Sequence, residues 1–532
     1  MRPYDAIVVG SGFGGVMAAY PLVMAGQRVL MIERGEWVER RLENWDPVNA
    51  HELSRHFSRE STYWVKDARW ARTTGSFHCV GGPSVYYGGV ALRMRERDFD
   101  PGSEILGDSH AAWPFGYAEL APYYDRAEWL LGVAGDDRDD PTAPPRDCAY
   151  PQAPTPLTPP SQRVADAARS LGLHPFPLPL AINYREASGR AACTRCATCD
   201  GFACAIGAKN DLATNVIPRL MEAGLEVRAN TVAVQLTVSG RLIQAVCCVD
   251  RSTGAVSHLN ASRVILAAGT LATPHLLLAS GLDRYSPASD SVGRYLMRHC
   301  NLLTMGAFRD RTNPSRLFHK QVAIHDFYFG AQDVDPRLGK LGAIQQITPP
   351  GPGYVRRIFP RPIGALLAAG VPYILALMSI AEDEPRAGNR VTIDHGQRDR
   401  FGLPLLKIHH RYTRRDVAAS RALVSKSKGI LRAAGAWATA VHDLRSFSHA
   451  VGTVRMGLDE ATSPLDETGR FRGLDNLFVA DGSSLPTSAG VNPSLTIAAN
   501  ALRIGSLLVG QPLARARVSL PLHAPSAPVH VP

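Results

Sequence analysis

The 532-residue chain lacks an uninterrupted hydrophobic run long enough to cross a membrane. Its longest apolar stretch, GALLAAGVPYILALMSIA at residues 364–381, is interrupted by Gly370, Pro372 and Ser379. Because these residues disfavour a membrane helix, YILALMSIA predicts a buried strand, and residues 363–371 could form an apolar loop over a pocket. We therefore expect no transmembrane segment.

The amino terminus, MRPYDAIVVG, lacks the apolar core and the small-residue cleavage site of a secretory signal, so we expect a cytoplasmic protein. A concentrated basic stripe is also absent, because the net charge of +10 comes from 58 basic and 48 acidic residues spread along the chain. This distribution predicts a solvated surface that can favour an anionic partner, and it argues against nucleic-acid binding. The length predicts at least two lobes.

Glycines dominate the first informative segment, YDAIVVGSGFGGVMAAYPLVMAGQRVLMIERG. A predicted strand at residues 6–9 leads into these glycines, a predicted helix runs to Ala25, and a second strand at residues 29–32 ends in Glu33. Such a pattern is typical of dinucleotide binding, with a pyrophosphate at the helix N-terminus and Glu33 accepting hydrogen bonds from the adenosine ribose. The glycines are Gly10, Gly12 and Gly15 in GxGxxG spacing, with Gly14 between them. NAD and FAD both remain possible.

Three later segments have further cofactor-binding signals. HCVGGPSVYYGGVALR (residues 78–93) is a second glycine-rich loop, and VILAAGTLATPHLLLASG (264–281) is a strand, a small-residue turn and a helix. NLFVADGSSLPTSAGVNPSLTIAANALRIGSLL (476–508) is a strand, a loop and a long apolar helix, and its acid can face a ribityl chain or a pyrophosphate. The candidate cofactor-binding residues in these segments are Gly81, Gly82, Ala268, Gly269, Asp481, Gly482, Asn492 and Pro493.

Together the four segments resemble the glucose-methanol-choline (GMC) family of FAD-dependent oxidoreductases, from Tyr4 to about Leu508. The resemblance implies an α/β fold, with a Rossmann-like FAD-binding domain and a second, substrate domain of mixed sheet plus helices. We expect non-covalent FAD, because His78 does not fall at the register of the histidine that some relatives attach to FAD. Tyr86 and Tyr87 replace smaller polar residues of some sterol-oxidising relatives, so this loop does not support a steroid substrate.

The segment FSHAVGTVRMG, at residues 447–457, matches the family's HxxGTxRMG pattern. The resemblance places His449 beside the flavin ring and pairs it with Asn492. An imidazole near its usual pKa can take the hydroxyl proton of an alcohol at neutral pH, while the carbon-bound hydrogen leaves as hydride to flavin N5. The amide of Asn492 can hold the substrate oxygen without competing for that proton.

Cysteines cluster in one segment, CTRCATCDGFACAIGAKND, with the spacing CxxCxxCxxxxC. Thiolates at this spacing can hold an iron-sulfur cluster or a zinc ion, and thiols or disulfides without a metal are the alternative. The CxIGAK ending resembles the FAD sugar dehydrogenases that hold a cluster, although their upstream spacing differs. The candidate ligands are Cys193, Cys196, Cys199 and Cys204. The other cysteines, Cys79, Cys148, Cys247, Cys248 and Cys300, are predicted to be buried thiols.

The flavin segments predict a discontinuous FAD-binding domain at residues 1–94, 203–293 and 462–510. Two insertions, 95–202 and 294–461, would form the substrate-binding domain, and residues 511–532 a surface tail. Within the insertions, WPFGYAELAPYYDRAEWLLG and TRRDVAASRALVSKSKGILRAAG predict helices, whereas LMSIAEDE and NRVTID predict strands.

The resemblance implies oxidation of a small-molecule alcohol, with oxygen, a protein or a quinone accepting the electrons. A sugar, glycoside or polyol is the expected substrate. The apolar stretch at residues 363–378 leaves an apolar or sterol-like alcohol as the alternative. A hydroxynitrile lyase, in which FAD has no redox role, is the alternative from another class.

Overall fold

The computed structural model describes residues 4–66, 71–186, 189–318 and 320–510. Its strands, numbered in chain order, are β1 (Tyr4–Val9), β2 (Val29–Ile32), β3 (Phe57–Lys66), β4 (Ala71–Phe77), β5 (Phe176–Pro177), β6 (Glu226–Arg228), β7 (Thr231–Ser239), β8 (Leu242–Asp250), β9 (Val256–Leu259), β10 (Ala261–Leu266), β11 (Cys300–Ala307), β12 (Val322–Ile324), β13 (Gly342–Ile347), β14 (Ile374–Ala381), β15 (Arg390–Arg398), β16 (Pro404–His409), β17 (Ala438–Asp443) and β18 (Leu477–Val479). The predicted tail at 511–532 lies outside the described residues.

The α-helices are α1 (Phe13–Met24), α2 (Ser103–Leu106), α3 (Tyr117–Leu131), α4 (Pro159–Ser170), α5 (Val216–Glu222), α6 (Ala272–Ala279), α7 (Pro352–Ile358), α8 (Ile363–Gly370), α9 (Arg414–Ala433) and α10 (Ser494–Leu508). Within the described residues, no helix combines the length and the hydrophobicity needed to cross a bilayer.

A five-stranded parallel sheet, ordered β18-β10-β1-β2-β6, forms the centre of the predicted cofactor-binding part. The last four residues of β1 and all of β2 are buried, as expected for a parallel sheet covered on both faces. Helices α1 and α10 pack against each other, and Gly505 permits their close approach because a Cβ there would collide with the carbonyl of Ala18. The predicted Rossmann-like α/β fold is confirmed.

A second, six-stranded antiparallel sheet has the order β17-β11-β14-β13-β12-β5. One face packs on α9, where Leu377 and Ile344 join the cluster that contains Leu423. The other face bears Asn301, because side chains alternate across a strand. We call this second face the site face.

A smaller mixed sheet, ordered β15-β16-β3-β4, joins strands that the predicted domain boundaries assign to different domains. The antiparallel strands β7, β8 and β9 form a further sheet. The division into an FAD-binding and a substrate-binding domain therefore stays a prediction, with this mixed sheet spanning its boundary.

The apolar stretch at residues 363–381 divides into two elements. Its second half is β14, as predicted, and seven of its eight residues, from Leu375 onward, are buried. The expected loop at 363–371 is wrong, because this segment forms α8 followed by a short 3-10 helix. Leu366 and Leu367 of α8 are exposed. Alanine and leucine favour a helix even on the surface, which explains the difference.

Candidate active site

Four glycines shape the turn between β1 and α1. A Cβ added to Gly10, Gly14 or Gly15 would collide with backbone atoms of residues 267, 480 or 10, so these glycines permit close strand and loop packing. Gly12 differs, because no atom of the described residues lies within 4 Å of the position that its Cβ would take. The turn thus leaves space at the N-terminus of α1, where backbone N–H groups favour a phosphate.

The second glycine loop lies directly against this turn. Gly82 has a positive φ of 56°, and a Cβ there would lie 3.2 Å from the Cα of Gly12. The Ser11 hydroxyl joins the elements: it donates to Glu33 at 2.7 Å and accepts from the backbone N–H of Gly81 at 3.0 Å. Glu33 also accepts from the backbone of Gly35, and burial raises its pKa. Glu33, the residue predicted to bind the adenosine ribose, is therefore buried directly after β2, and these hydrogen bonds fix its position.

Asp481 holds the third and fourth predicted segments together. Its Oδ2 accepts hydrogen bonds from the Gly269 N–H and the Thr273 hydroxyl, and its Oδ1 accepts two from Ser483. Both carboxylate oxygens are thus used within the protein, which makes Asp481 a brace for the turns around it. Gly269, like Gly12, has nothing within 4 Å of its Cβ position, and Ala268 precedes it after β10.

These segments fit an FAD molecule. The open sides of Gly12 and Gly269 leave room beside the parallel sheet, and Glu33 lies buried beside the same turn. Gly482 accepts a hydrogen bond from the Gly452 N–H at 3.0 Å, which joins the HxxGTxRMG segment to the same region. Pro493 directly precedes α10.

His449 is the side chain that the structure places most specifically. Its Nδ1 lies 3.0 Å from Nδ1 of His299, and Nε2 of His299 lies 2.9 Å from the carbonyl oxygen of Ser488. A carbonyl oxygen only accepts, so Nε2 of His299 carries the proton and its Nδ1 has a free lone pair. Nδ1 of His449 must then be the donor. Nε2 of His449 is therefore unprotonated in the neutral imidazole.

Asn492 faces this unprotonated nitrogen. Its amide nitrogen lies 3.2 Å from Nε2 of His449 and donates to it, whereas its buried Oδ1 has no hydrogen-bond partner in the described part of the chain. Unpartnered buried oxygens are uncommon and often mark a ligand site. The amide of Asn301 lies 3.5 Å from Nδ1 of His449, too far to compete with His299. The structure therefore brings the two predicted catalytic residues together.

Two consecutive acids after β14 hold the turns that carry these groups. Asp383 accepts from the backbone of His299 at 3.1 Å and from the Ser488 hydroxyl at 3.0 Å. Glu382 accepts from the backbone of Ala489 at 2.8 Å. His299 and Ala489 both have positive φ, 58° and 55°, which non-glycine residues adopt only when the surroundings enforce it. The hydrogen bonds that Asp383 and Glu382 accept hold both residues in this conformation.

The pKa of His449 lies well below its usual value. Burial is the main cause, followed by the nearby His299 and the positive charge of Lys320. Lys320 itself is buried and pairs with Asp200 at 2.8 Å. His449 is thus neutral at physiological pH, with Nε2 available to accept a proton.

The four cysteines of the cysteine-rich segment are not grouped as metal ligands in the described structure. Throughout the described residues, no three His, Cys, Asp or Glu side chains are placed to hold a metal ion, and all nine cysteines are free. Cys193 instead accepts from the backbone of Arg195 at 3.3 Å, and Cys196 lies 3.1 Å from the Thr198 hydroxyl. Burial raises the pKa of Cys193 to about 11 and that of Cys199 well above its usual value. The predicted iron-sulfur or zinc site, including Cys204, is not supported.

Lys209, at the end of CxIGAK, explains the shape of this segment. Its buried ammonium group donates to the carbonyl oxygens of Tyr87, Cys199 and Phe202 at 2.7–3.1 Å. It thereby ties the cysteine segment to the second glycine loop. Of the other cysteines, four are buried as predicted, but Cys148 is exposed because it lies in an irregular, proline-rich stretch at residues 136–158.

Sequence reasoning missed four side chains: His299 and Asn301, which lie beside His449, Lys320, whose charge acts on it, and Gln345, which shares the site face with Asn301. Two of them had a readable signal, because Asn301 and Gln345 are polar residues inside the apolar strand patterns of β11 and β13. A polar residue at the inward position of a strand often serves a site. His299 had no such signal, since its importance depends on a neighbour 150 residues away in sequence.

Comparison with known proteins places this geometry in a family. Two family models described as GMC oxidoreductase match residues 4–301 and 385–501. The chain is 33% identical to the 6'''-hydroxyparomomycin C oxidase of Streptomyces lividus, over 94% of this chain and 90% of that protein. It is 32% identical to the paromamine 6'-oxidase of Streptomyces fradiae, over 97% and 93%. The crystal structure of pyridoxine 4-oxidase from Mesorbium loti has the same fold, with a TM-score of 0.67, 20% identity and coverage of 96% and 99%.

Proposed function

Since the chain belongs to the GMC oxidoreductase family and is an FAD-dependent alcohol oxidoreductase, we propose that it oxidises a hydroxyl group of a sugar, glycoside or polyol. The observation that carries this proposal is the pairing of the unprotonated Nε2 of His449 with Asn492. An unprotonated nitrogen and an amide at one point suit an alcohol, which must lose its hydroxyl proton.

His449 accepts the hydroxyl proton at Nε2, because its Nδ1 proton is already committed to His299. The substrate hydroxyl replaces the Asn492 amide on Nε2, and this amide then donates to the substrate oxygen. The resulting imidazolium is a buried positive charge. The hydrogen-bond chain from His449 through the ring of His299 to the carbonyl of Ser488 stabilises it. FAD, when bound, supplies the hydride acceptor for the carbon-bound hydrogen.

Gly12, Gly269, Glu33 and the second glycine loop would hold FAD without a covalent bond. His78 is buried and lies 2.9 Å from the Ser76 hydroxyl, and burial lowers its pKa well below the usual value. A histidine engaged in this way supports the proposal of non-covalent FAD, which denaturation should release into solution.

Sugar-like substrates are favoured by two relatives, which are named as oxidases of hydroxyparomomycin C and of paromamine. The same names support oxygen as the electron acceptor. The sterol alternative is weakened, because the exposed first half of the apolar stretch, α8, lies on the surface. Hydrogen peroxide formed in step with the oxidised product would support oxygen, and its absence would favour a protein or quinone acceptor.

An anaerobic substrate screen tests the proposal. The FAD-loaded enzyme is mixed with polyols, sugars, glycosides and a sterol, and the absorbance of the oxidised flavin is followed. We expect loss of this absorbance with hydroxyl-rich compounds. Loss with the sterol alone would contradict the proposed substrate class, and cyanohydrin cleavage with unchanged flavin would support the lyase alternative.

A further inference from the structure

Gln345 is a buried amide that has no partner among the residues the structure describes. Its side chain is 1% exposed, yet neither Oε1 nor Nε2 makes a hydrogen bond with any of them. Leaving a buried amide unpaired is unfavourable, so such a group in a folded protein calls for an explanation. One explanation is a ligand that pairs with it.

The register of the six-stranded sheet places Gln345 on the site face. Gln345 pairs with Met378 of β14, and Met378 pairs with Leu303 of β11, two residues along the strand from Asn301. Because side chains two residues apart share a face, Gln345 and Asn301 point to the same side. That side contains His449, since the Asn301 amide lies 3.5 Å from its imidazole.

Gln345 has apolar neighbours on both adjacent strands. Its two cross-strand neighbours are Ala323 and Met378, both buried, and neither offers a hydrogen bond. The opposite face of β13 is different, because the Oε1 of Gln346 accepts from the backbone of Gln321 and its Nε2 lies 3.5 Å from the Pro160 carbonyl. The two adjacent glutamines therefore differ: Gln346 forms hydrogen bonds within the protein, whereas Gln345 lies on the site face and forms none with the described residues.

The spacing suits a ring-sized substrate. Gln345 lies two strands across and two residues along from Asn301, which corresponds to roughly 12 Å between their Cα atoms. The side chains of Asn301 and Gln345 with one sugar ring between them would span this distance. A short alcohol bound at His449 would not reach Gln345. An amide offers both a donor and an acceptor, which matches a hydroxyl group; an ammonium group can only donate.

We infer, on the basis of the proposed function, that Gln345 forms a subsite for a second hydroxyl group of the substrate, across a sugar ring from the hydroxyl that is oxidised. The subsite selects hydroxyl-rich rings over apolar ones. An apolar substrate would leave the Gln345 amide unpaired in the complex, and sites built to hydrogen-bond a hydroxyl discriminate strongly against analogues that lack it.

The test compares two primary alcohols on six-membered rings, methyl α-D-glucopyranoside and cyclohexylmethanol, with the FAD-loaded enzyme. We expect the wild-type enzyme to prefer the glucoside. Gln345→Leu should lower kcat/KM for the glucoside about 10- to 100-fold and leave that for cyclohexylmethanol unchanged or higher. Gln397→Leu, at an exposed position of β15, is the matched control and should preserve the preference.

Thermal unfolding of the substrate-free protein supplies a second readout. Because leucine removes an unpaired buried amide, Gln345→Leu should raise the thermal midpoint. A lowered midpoint would show that the amide stabilises the sheet, and this result overturns the subsite whether or not either alcohol is oxidised. A flavin-replete Gln345→Leu enzyme with an unchanged preference for the glucoside also overturns it. A wild-type enzyme that oxidises cyclohexylmethanol and not the glucoside contradicts the proposed function as well.

Discussion

The His449 site and the cysteine segment both have distinctive sequence patterns, yet their side chains make different kinds of contact in the structure. At His449, residues from four separate parts of the chain converge, and each hydrogen bond fixes the direction of the next. In the cysteine segment, the two half-buried thiols, Cys193 and Cys196, contact polar atoms two residues away. Spacing along the chain brings side chains near one another, but a functional site also needs long-range contacts that aim them at one point.

The two regions are nevertheless connected. Asp200 follows Cys199 and pairs with Lys320, whose charge contributes to the lowered pKa of His449. Lys209 holds the same segment against the second glycine loop. We interpret the cysteine segment as a support that positions Asp200 and this loop.

The largest expected effect comes from closing the space at the first glycine turn. Gly12→Val would place a side chain where a pyrophosphate fits, so the purified protein should lose its bound flavin. Gly116→Val is the matched control, because Gly116 also has open space at its Cβ position and an extended φ of −92°. The flavin content of both variants is measured by absorbance. Full flavin in Gly12→Val would contradict the assigned site.

An intermediate effect is expected at His299, a positioning residue. His299→Leu removes the acceptor for Nδ1–H of His449 and should slow flavin reduction by roughly 10- to 100-fold. His299→Gln keeps an acceptor and a donor and should recover part of the rate. The two variants are compared by rapid mixing without oxygen. Equal rates in both would mean that the hydrogen bond to His449 does not matter.

The pH dependence sharpens the account of His449. Burial lowers its pKa below the usual value of 6.5, so the imidazole stays neutral as the pH falls through this value. Flavin reduction should therefore keep its plateau rate from pH 8 to below pH 6.5. The unfolded chain takes up the proton near pH 6.5 while the folded chain does not, so folding stability should decrease as the pH falls below 6.5. A rate that is already halved at pH 6.5 would contradict the lowered pKa.

The smallest effect is expected in the cysteine segment. Cys199→Ser should leave flavin content and reduction rate unchanged, because Lys209 holds the segment through the backbone carbonyl of Cys199 and not through its thiol. Flavin absorbance and iron and sulfide analysis of anaerobically purified wild-type protein provide the measurement. Stoichiometric iron and sulfide in the wild type, lost in Cys199→Ser, would reverse our reading of this region.

Local patterns were sufficient to predict much of the fold. The first strand, glycine turn and helix formed as predicted, and so did α3, α9 and β14. The formation of these elements depends on the periodicity of apolar residues and on the positions of glycines among residues that are close in sequence. Residues 363–370 were misjudged because an apolar surface helix has no pattern that separates it from an apolar loop.

The candidate site was predictable only in part. His449 and Asn492 followed from family resemblance, and the structure brings them together. The direction of the His449 proton was not predictable, because it depends on the Ser488 carbonyl and on His299, which meet only in the folded chain. Gln345 and Gln346 have the same chemistry in sequence, and only the sheet register separates their environments.

Anaerobic flavin reduction in His449→Ala is the measurement that tests the central claim most directly. His442→Ala, at an exposed position of β17, is the control and should reduce its flavin at the wild-type rate. If Nε2 of His449 accepts the hydroxyl proton, His449→Ala should retain FAD and reduce it slower by on the order of 10² to 10⁴. Unchanged reduction kinetics in flavin-replete His449→Ala would contradict the assignment of His449 as the base.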